Sequence, residues 1–213
     1  VFQKSLEMSL FNEPFEICPG MSLLASFAET TQTLAAIESV LAVSPLRQMQ
    51  TARGFYMSVK TSSCGEWGWI SDRKGYRYVN TDPITENPWP AMPKFLFDLA
   101  RKAAEQAGYS DFYPDTCLIN HYVPGVQMGA HQDKDELDFS QPIVSVSIGI
   151  PARFFVVGPE RAGKSRAVDL KDGDVIVFGG PARRFYHGVR KLKEATHPTF
   201  GAQRWNLTFR KAR

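Results

Sequence analysis

Cysteine is scarce in this chain of 213 residues: Cys18, Cys64 and Cys117 are odd in number, far apart and without a CxxC pair. That excludes a disulfide framework and a cysteine-built zinc knuckle, and it fits a reducing compartment, so a cytoplasmic location is expected. No apolar run approaches the ~18 residues that cross a bilayer, so no membrane partner is expected. The opening stretch to Ile17 carries acids and breaks at Pro14, unlike a signal peptide. It begins on Val1, not Met, which leads us to expect further residues ahead of it. Internal repeats, low-complexity tracts and an obvious linker are missing too, against a repeat architecture or a multi-domain chain. Excess charge is small, net +3, which permits a nucleic-acid partner without demanding one. Its distribution is uneven. From Pro181 onward Arg183, Arg184, Arg190, Lys191, Lys193, Arg204, Arg210, Lys211 and Arg213 face a single acid, Glu194. Such a segment suits phosphates, or equally a solvated basic face.

What is present is ordinary for a soluble domain: 43% hydrophobic and 22% charged residues, enough for one domain over 1–213 with a sizeable core. Two segments have helical period. Thr30 to Val43 puts Leu34, Ile37 and Leu41 on one stripe and stops before Ser44-Pro45. Lys94 to Ala107 repeats Phe95, Leu99 and Ala103 between Pro93 and Gly108. From Asp115 the pattern changes to short strands (CLINHY, IVSVSIGI, ARFFVV, RAVDL, DVIVFGG, RRFYHGV, RWNLTFR), with Pro124-Gly125 marking a type II turn. The expected fold is therefore α+β, mainly β: helical support packed on a β-sandwich or jelly roll over 115–213. Between them, Ala52 to Pro93 is rich in aromatics and turn residues without a strong period, as expected of recognition loops or an aromatic minicore.

Chemistry concentrates in few residues. His131 and Asp133 are two apart, so on a strand both would point to one face, and His187 lies in a later predicted strand. Two histidines and one carboxylate form the facial triad of non-haem Fe(II) oxygenases, which leaves open positions for co-substrate and O2. Arg204 to Arg210 alternates without a slip: Trp205, Leu207 and Phe209 on one face, Arg204, Asn206, Thr208 and Arg210 on the other. If that second face points into a barrel mouth, its two guanidinium groups need anions, because unpaired buried charge is costly. A short dicarboxylate such as 2-oxoglutarate, gripped at each end by one fork, satisfies both. Leu118, Asn120 and Tyr122 share a strand face suited to lining a small polar ligand. Asp135 continues the alternation of 131 and 133 and would face the same cavity if the strand runs on, or else is a surface acid in the run to Asp138.

The combination of Asn120-x-Tyr122, His131-x-Asp133, His187 and Arg204-x-Asn206-x-Thr208-x-Arg210 resembles the AlkB family of DNA and RNA dealkylating dioxygenases. The likeness extends to SPLRQMQT, GWISDRKGYRY, NPWPAMP, QDKDE and FYHGV and so covers nearly all of the chain. The resemblance implies a double-stranded β-helix (jelly roll) core over 115–213 and a nucleotide-recognition lid over 45–93. It implies Fe(II) on His131, Asp133 and His187, with O2 as oxidant. It also implies 2-oxoglutarate on Asn120, Tyr122, Arg204, Asn206 and Arg210, Arg204 taking the distal carboxylate and Arg210 the one near iron. Trp69 and His131 would sandwich a flipped base, Asp135 would sit at the base edge, and Tyr76, Arg77, Tyr78 and Arg161 would contact the nucleotide. Phe178, Met128 and Phe139 depart from the apolar residues expected of the family. The implied activity is oxidative repair of 1-methyladenine and 3-methylcytosine in single-stranded DNA, with RNA a further substrate; a monomer is expected by default. Arg210→Ala is expected to abolish turnover with the fold intact. A 2-oxoglutarate hydroxylase of protein or small molecules, and a non-catalytic metal-binding nucleic-acid module, are the alternatives.

Overall fold

The computed structural model describes residues 13–213, so most of the opening stretch read against a leader peptide lies outside the described residues. In chain order the first half contains β1 (Phe15–Cys18), β2 (Met21–Leu24), helix α1 (Thr30–Leu41), β3 (Arg47–Gln50), β4 (Tyr56–Gly65), β5 (Gly68–Asp72), β6 (Gly75–Val79) and helix α2 (Lys94–Gln106). The second half contains β7 (Thr116–Tyr122), β8 (Met128–His131), β9 (Ile143–Gly149), β10 (Ala152–Gly158), β11 (Arg166–Leu170), β12 (Val175–Phe178), β13 (Tyr186–Val189) and β14 (Arg204–Arg210).

A large sheet has the order β1-β2-β12-β9-β14-β7-β4-β3, a small one β11-β10-β13-β8, and β5 pairs with β6 alone. From β7 to β14 the chain passes back and forth between the two main sheets, pausing only at the β10–β11 hairpin. That alternation is the winding of a double-stranded β-helix, a jelly roll. Phe154, Val156 and Val189 of the small sheet share a buried cluster with Tyr122, Ile143, Ile176 and Phe178 of the large one, so the sheets pack face to face. The other face of the large sheet is covered by α1 and α2, whose Ile37, Val40, Leu96 and Ala100 pack on Ile119, Val146, Leu207 and Phe209.

Glu29 caps α1, its carboxylate accepting from Thr31 N and Gln32 N. The helix ends at Leu41, two residues short of the expectation, and its buried stripe is Thr33, Ala36, Ile37 and Val40. Leu34 and Leu41 pack only at its edge. In α2 the buried face is Leu96, Leu99, Ala100, Ala103 and Ala104, with Phe95 at the margin. In both helices the buried face mixes small residues, Ala36 in one and Ala100, Ala103 and Ala104 in the other, with larger apolar ones such as Ile37 and Leu96.

The first half is more than helical support. Strands β1 to β4 extend the large sheet on both edges, and β4 is ten residues long. It escapes periodicity because Thr61, Ser62, Ser63 and Cys64 are all buried, so polar and apolar residues do not alternate. Gly125 has φ +87, the left-handed position the Pro124-Gly125 turn requires.

Asp82 ties the 45–93 segment together. Its carboxylate accepts from Arg47, from Ser44 Oγ at 2.9 Å and from Ile84 N at 2.9 Å, and it is 1% exposed. Burial alone would raise its pKa, but these hydrogen bonds outweigh it and hold the group at about 2. The carboxyl is therefore depressed in the folded state, and its stabilisation is present above the ordinary carboxylate range and lost as pH falls through about 2. Asp82→Asn takes the counter-charge from Arg47 and is expected to cost about 3 kcal/mol at neutral pH in urea unfolding, a deficit that shrinks as the wild type is acidified.

Candidate active site

A cavity of about 370 Å³ opens between the two sheets beneath the β5–β6 hairpin. His131, Asp133 and His187 meet at its wall, with ligating atoms all within 4.8 Å of one another. Pairing of β13 with β8 sets His187 directly opposite His131, so two imidazoles become cross-strand neighbours, their ring centroids 4.6 Å apart. Asp133 reaches them differently from the expectation. Strand β8 ends at His131, and residues 132–135 continue as irregular backbone. Its carboxylate lies 3.7 Å from His131 Nε2 and 3.9 Å from His187 Nε2.

Each ring has its other nitrogen occupied. His131 Nδ1 meets Gly129 O and His187 Nδ1 meets Phe185 O, both at 2.9 Å. A Nδ1–H donated to a carbonyl fixes the tautomer that aims the Nε2 lone pair at the cavity. Burial, then the nearby charge of His131, pushes His187 down to about 4, so it stays a neutral donor at physiological pH. Burial would raise Asp133, but Arg210 and the two imidazoles hold its carboxyl well below the usual range. Two imidazoles and one carboxylate on one side of a cavity suit a divalent iron ion.

All seven residues of β14 are buried, and its second face does point into the sandwich. Arg204 donates through Nη2 to Ser147 Oγ at 3.0 Å and packs over the Tyr122 ring, while its Nε and Nη1 are buried without a partner. Arg210 donates through Nε and Nη2 to Asp133 Oδ2 at 3.3 and 3.0 Å, leaving Nη1 buried and unpartnered. Buried N–H groups on a charged fork are seldom left idle, and two such forks in one cavity match a dicarboxylate. Asn120 and Asn206 are bonded to each other at 3.3 Å and stand between the forks, where Asn206 also reaches Ser145 Oγ at 2.8 Å. The donor set therefore fits 2-oxoglutarate beside a metal, Arg210 on the metal side because it already touches Asp133.

Above the cavity, Trp69 stacks on Tyr76 across the β5–β6 hairpin, centroids 5.5 Å apart and planes 13° from parallel. Trp69 Nε1 donates to Asp135 Oδ2 at 2.9 Å, so Asp135 lines the cavity through a loop rather than a strand. Tyr78 and Arg161 also line it. Arg77 does not: it turns away to a paired contact with Asp72 at 2.8 and 2.9 Å. Of the three departures, Phe178 and Met128 line the cavity, with Phe178 edge-on to His187 at 5.0 Å. Phe139 lies under the Arg183 and Arg184 guanidiniums instead.

Two residues escaped the sequence reading. Glu136 and Arg183 are buried and paired at 3.0 Å next to Asp133. Glu136 belongs to an acidic run, Asp133 to Asp138, that reads as solvated surface, and Arg183 to a basic segment that reads likewise.

Comparison with known proteins agrees with this geometry. The 2OG-Fe(II) oxygenase superfamily matches residues 20–210. The chain is 47% identical over 198 residues to the alpha-ketoglutarate-dependent dioxygenase AlkB of Salmonella typhimurium (strain LT2), covering 92% of each. It is 47% identical over 204 residues to the same-named protein of Escherichia coli (strain K12), covering 94% of each. Among solved structures, one titled "The structure of OsALKBH1" superposes with a TM-score of 0.80 at 28% identity, covering 93% of this chain and 99% of that one.

Proposed function

The chain belongs to the 2OG-Fe(II) oxygenase superfamily and, within it, to the AlkB family, and from that premise we propose that it removes alkyl groups oxidatively from nucleic-acid bases. The observation that carries the reading is a pair of guanidinium forks, each with buried N–H groups still without a partner, facing the same cavity as the His131–Asp133–His187 cluster. Those three residues would hold Fe(II), and Arg204 and Arg210 would hold the distal and the metal-proximal carboxylate of 2-oxoglutarate, with Asn120, Tyr122 and Asn206 along its length. Bound there, iron and co-substrate supply O2-dependent hydroxylation of an alkyl C–H bond, with succinate and CO2 as co-products. Hydroxylation of an N-alkyl carbon gives a hemiaminal, which collapses to an aldehyde and the restored base.

The protein's own residues select what is oxidised. A base can reach the cavity only when extruded from its stack, which costs least in a single strand. Trp69, backed by Tyr76, offers it one wall and His131 the other, and stacking is tolerant of base identity. Asp135 sets a carboxylate at that wall, favouring a base made cationic by alkylation of a Watson–Crick nitrogen. This supports 1-methyladenine and 3-methylcytosine in single-stranded DNA, with RNA a second substrate. Arg161 and Tyr76 at the rim suit the strand's backbone. One chain supplies the whole site, so a monomer suffices. Among the described residues no helix is long and apolar enough to cross a membrane, and we place the repair reaction in the cytoplasm.

Trp69→Ala is expected to raise KM for a methylated oligonucleotide about tenfold, with 2-oxoglutarate affinity unchanged, because one stacking wall is lost. Steady-state kinetics on 1-methyladenine DNA checks this. Undiminished activity of the variant would instead favour a hydroxylase of protein or small molecules.

A further inference from the structure

We propose that Glu136 is a positioning residue that sets the direction of the Arg210 fork and ties it to the β5–β6 hairpin; the inference rests on the dioxygenase reading above. Glu136 is 5% exposed, and each of its oxygens is engaged. Oε1 accepts from Tyr78 Oη at 2.6 Å and lies 3.4 Å from Arg210 Nε. Oε2 accepts from Arg183 Nη2 at 3.0 Å. Arg183 in turn donates through Nη1 to the Asp133 carbonyl at 2.9 Å and through Nε to Gln141 O at 2.9 Å. One carboxylate thus joins the hairpin, the loop carrying Asp133, and the end of β14.

The planarity of guanidinium makes this consequential. With Nε and Nη2 of Arg210 turned to Asp133 and Glu136, the direction of Nη1 is no longer free. Nη1 is the Arg210 nitrogen without a protein partner, the one available to a co-substrate carboxylate. The charges also balance: Asp133 and Glu136 against Arg183 and Arg210. Neutralising Glu136 leaves Arg210 to Asp133 alone, and the fork can swing toward that metal ligand. Tyr78 sits on the same strand as Tyr76, so a shift of the hairpin is felt by Glu136 and through it by Arg210.

Calorimetry of 2-oxoglutarate binding to protein loaded with Mn(II) in place of iron, without nucleic acid, tests the idea. Glu136→Gln is expected to bind about tenfold more weakly, the usual loss when a partner orienting a ligand-binding group is removed. In turnover, KM for 2-oxoglutarate should rise more than kcat falls. Tyr78→Phe should weaken 2-oxoglutarate binding in the same direction, and the double variant should be no worse than Glu136→Gln alone. Wild-type affinity in Glu136→Gln, or strictly additive losses, overturns the proposal. If thermal melting shows Glu136→Gln unfolded, Tyr78→Phe decides alone, and unchanged affinity there overturns it. Since binding is read without a nucleic acid, failure of the dealkylation reading leaves this result standing, and the reverse holds.

Discussion

Arg210→Ala is expected to eliminate 2-oxoglutarate-dependent turnover and, in the same stroke, to lower stability by about 3–5 kcal/mol. The first effect follows from losing the fork beside the metal cluster. The second follows from what that fork does in the protein alone. Arg210 faces the buried Asp133 at 3.0 Å and Glu136 at 3.4 Å, and those carboxylates keep its own pKa above the usual arginine value despite burial. Its removal leaves two buried carboxylates sharing only Arg183 and the imidazoles. Reading the alternation of β14 by itself leads to an inactive protein with an intact fold. The ion pairs change that expectation, because they lie across the chain at positions 133 and 136. Urea unfolding at neutral pH, beside 2-oxoglutarate calorimetry on the Mn(II)-loaded protein, separates the two effects. Arg210→Lys should recover much of the stability but not the affinity, since an ammonium keeps the charge and loses the fork.

Arg204→Met should behave in the opposite way. Here the fork has Ser147 and Tyr122 as its neighbours and no carboxylate, and burial lowers its pKa. It is a charge held without an anion, so an apolar side chain of similar length should leave stability unchanged or raise it. Affinity for 2-oxoglutarate, however, should fall about 100-fold, the cost of removing one partner of a buried charge pair. The melting temperature gives a clean contrast. Saturating 2-oxoglutarate should raise it in the wild type by mass action, and the same concentration should barely move it in Arg204→Met. A variant that binds the co-substrate as tightly as the wild type would place the dicarboxylate elsewhere.

These two arginines also show how far the sequence reaches. The strict alternation of 204–210 separates a helix-facing set from a cavity-facing set, and the sheet register keeps them apart as expected. His187 and His131 come together by strand pairing, which periodicity can suggest. Asp133 and Asp135 reach the cavity without a strand beneath them, held by Arg210 and Trp69, so the strand alternation that groups them with His131 does not describe the local backbone. Glu136 and Arg183 were illegible because a charge in a run of charges looks solvated. Only the partner that arrives from 47 residues away makes it interior. Strand β4 was hidden for a related reason, as its hydroxyl-bearing residues are buried on both faces of the sheet. Arg77, for which the resemblance implied a nucleotide contact, is paired with Asp72 on the same hairpin.

The central claim is that one cavity joins a dicarboxylate-dependent iron site to an alkylated base. It is tested most directly by incubating the Fe(II)-loaded protein with a single-stranded oligonucleotide bearing one 1-methyladenine, with and without 2-oxoglutarate. The oligonucleotide is followed by mass spectrometry, and formaldehyde and succinate are measured in the same tube. The expected result is restored adenine only when 2-oxoglutarate is present, with formaldehyde and succinate formed in equal amounts. Succinate without formaldehyde, or an oligonucleotide unchanged under both conditions, would contradict the claim.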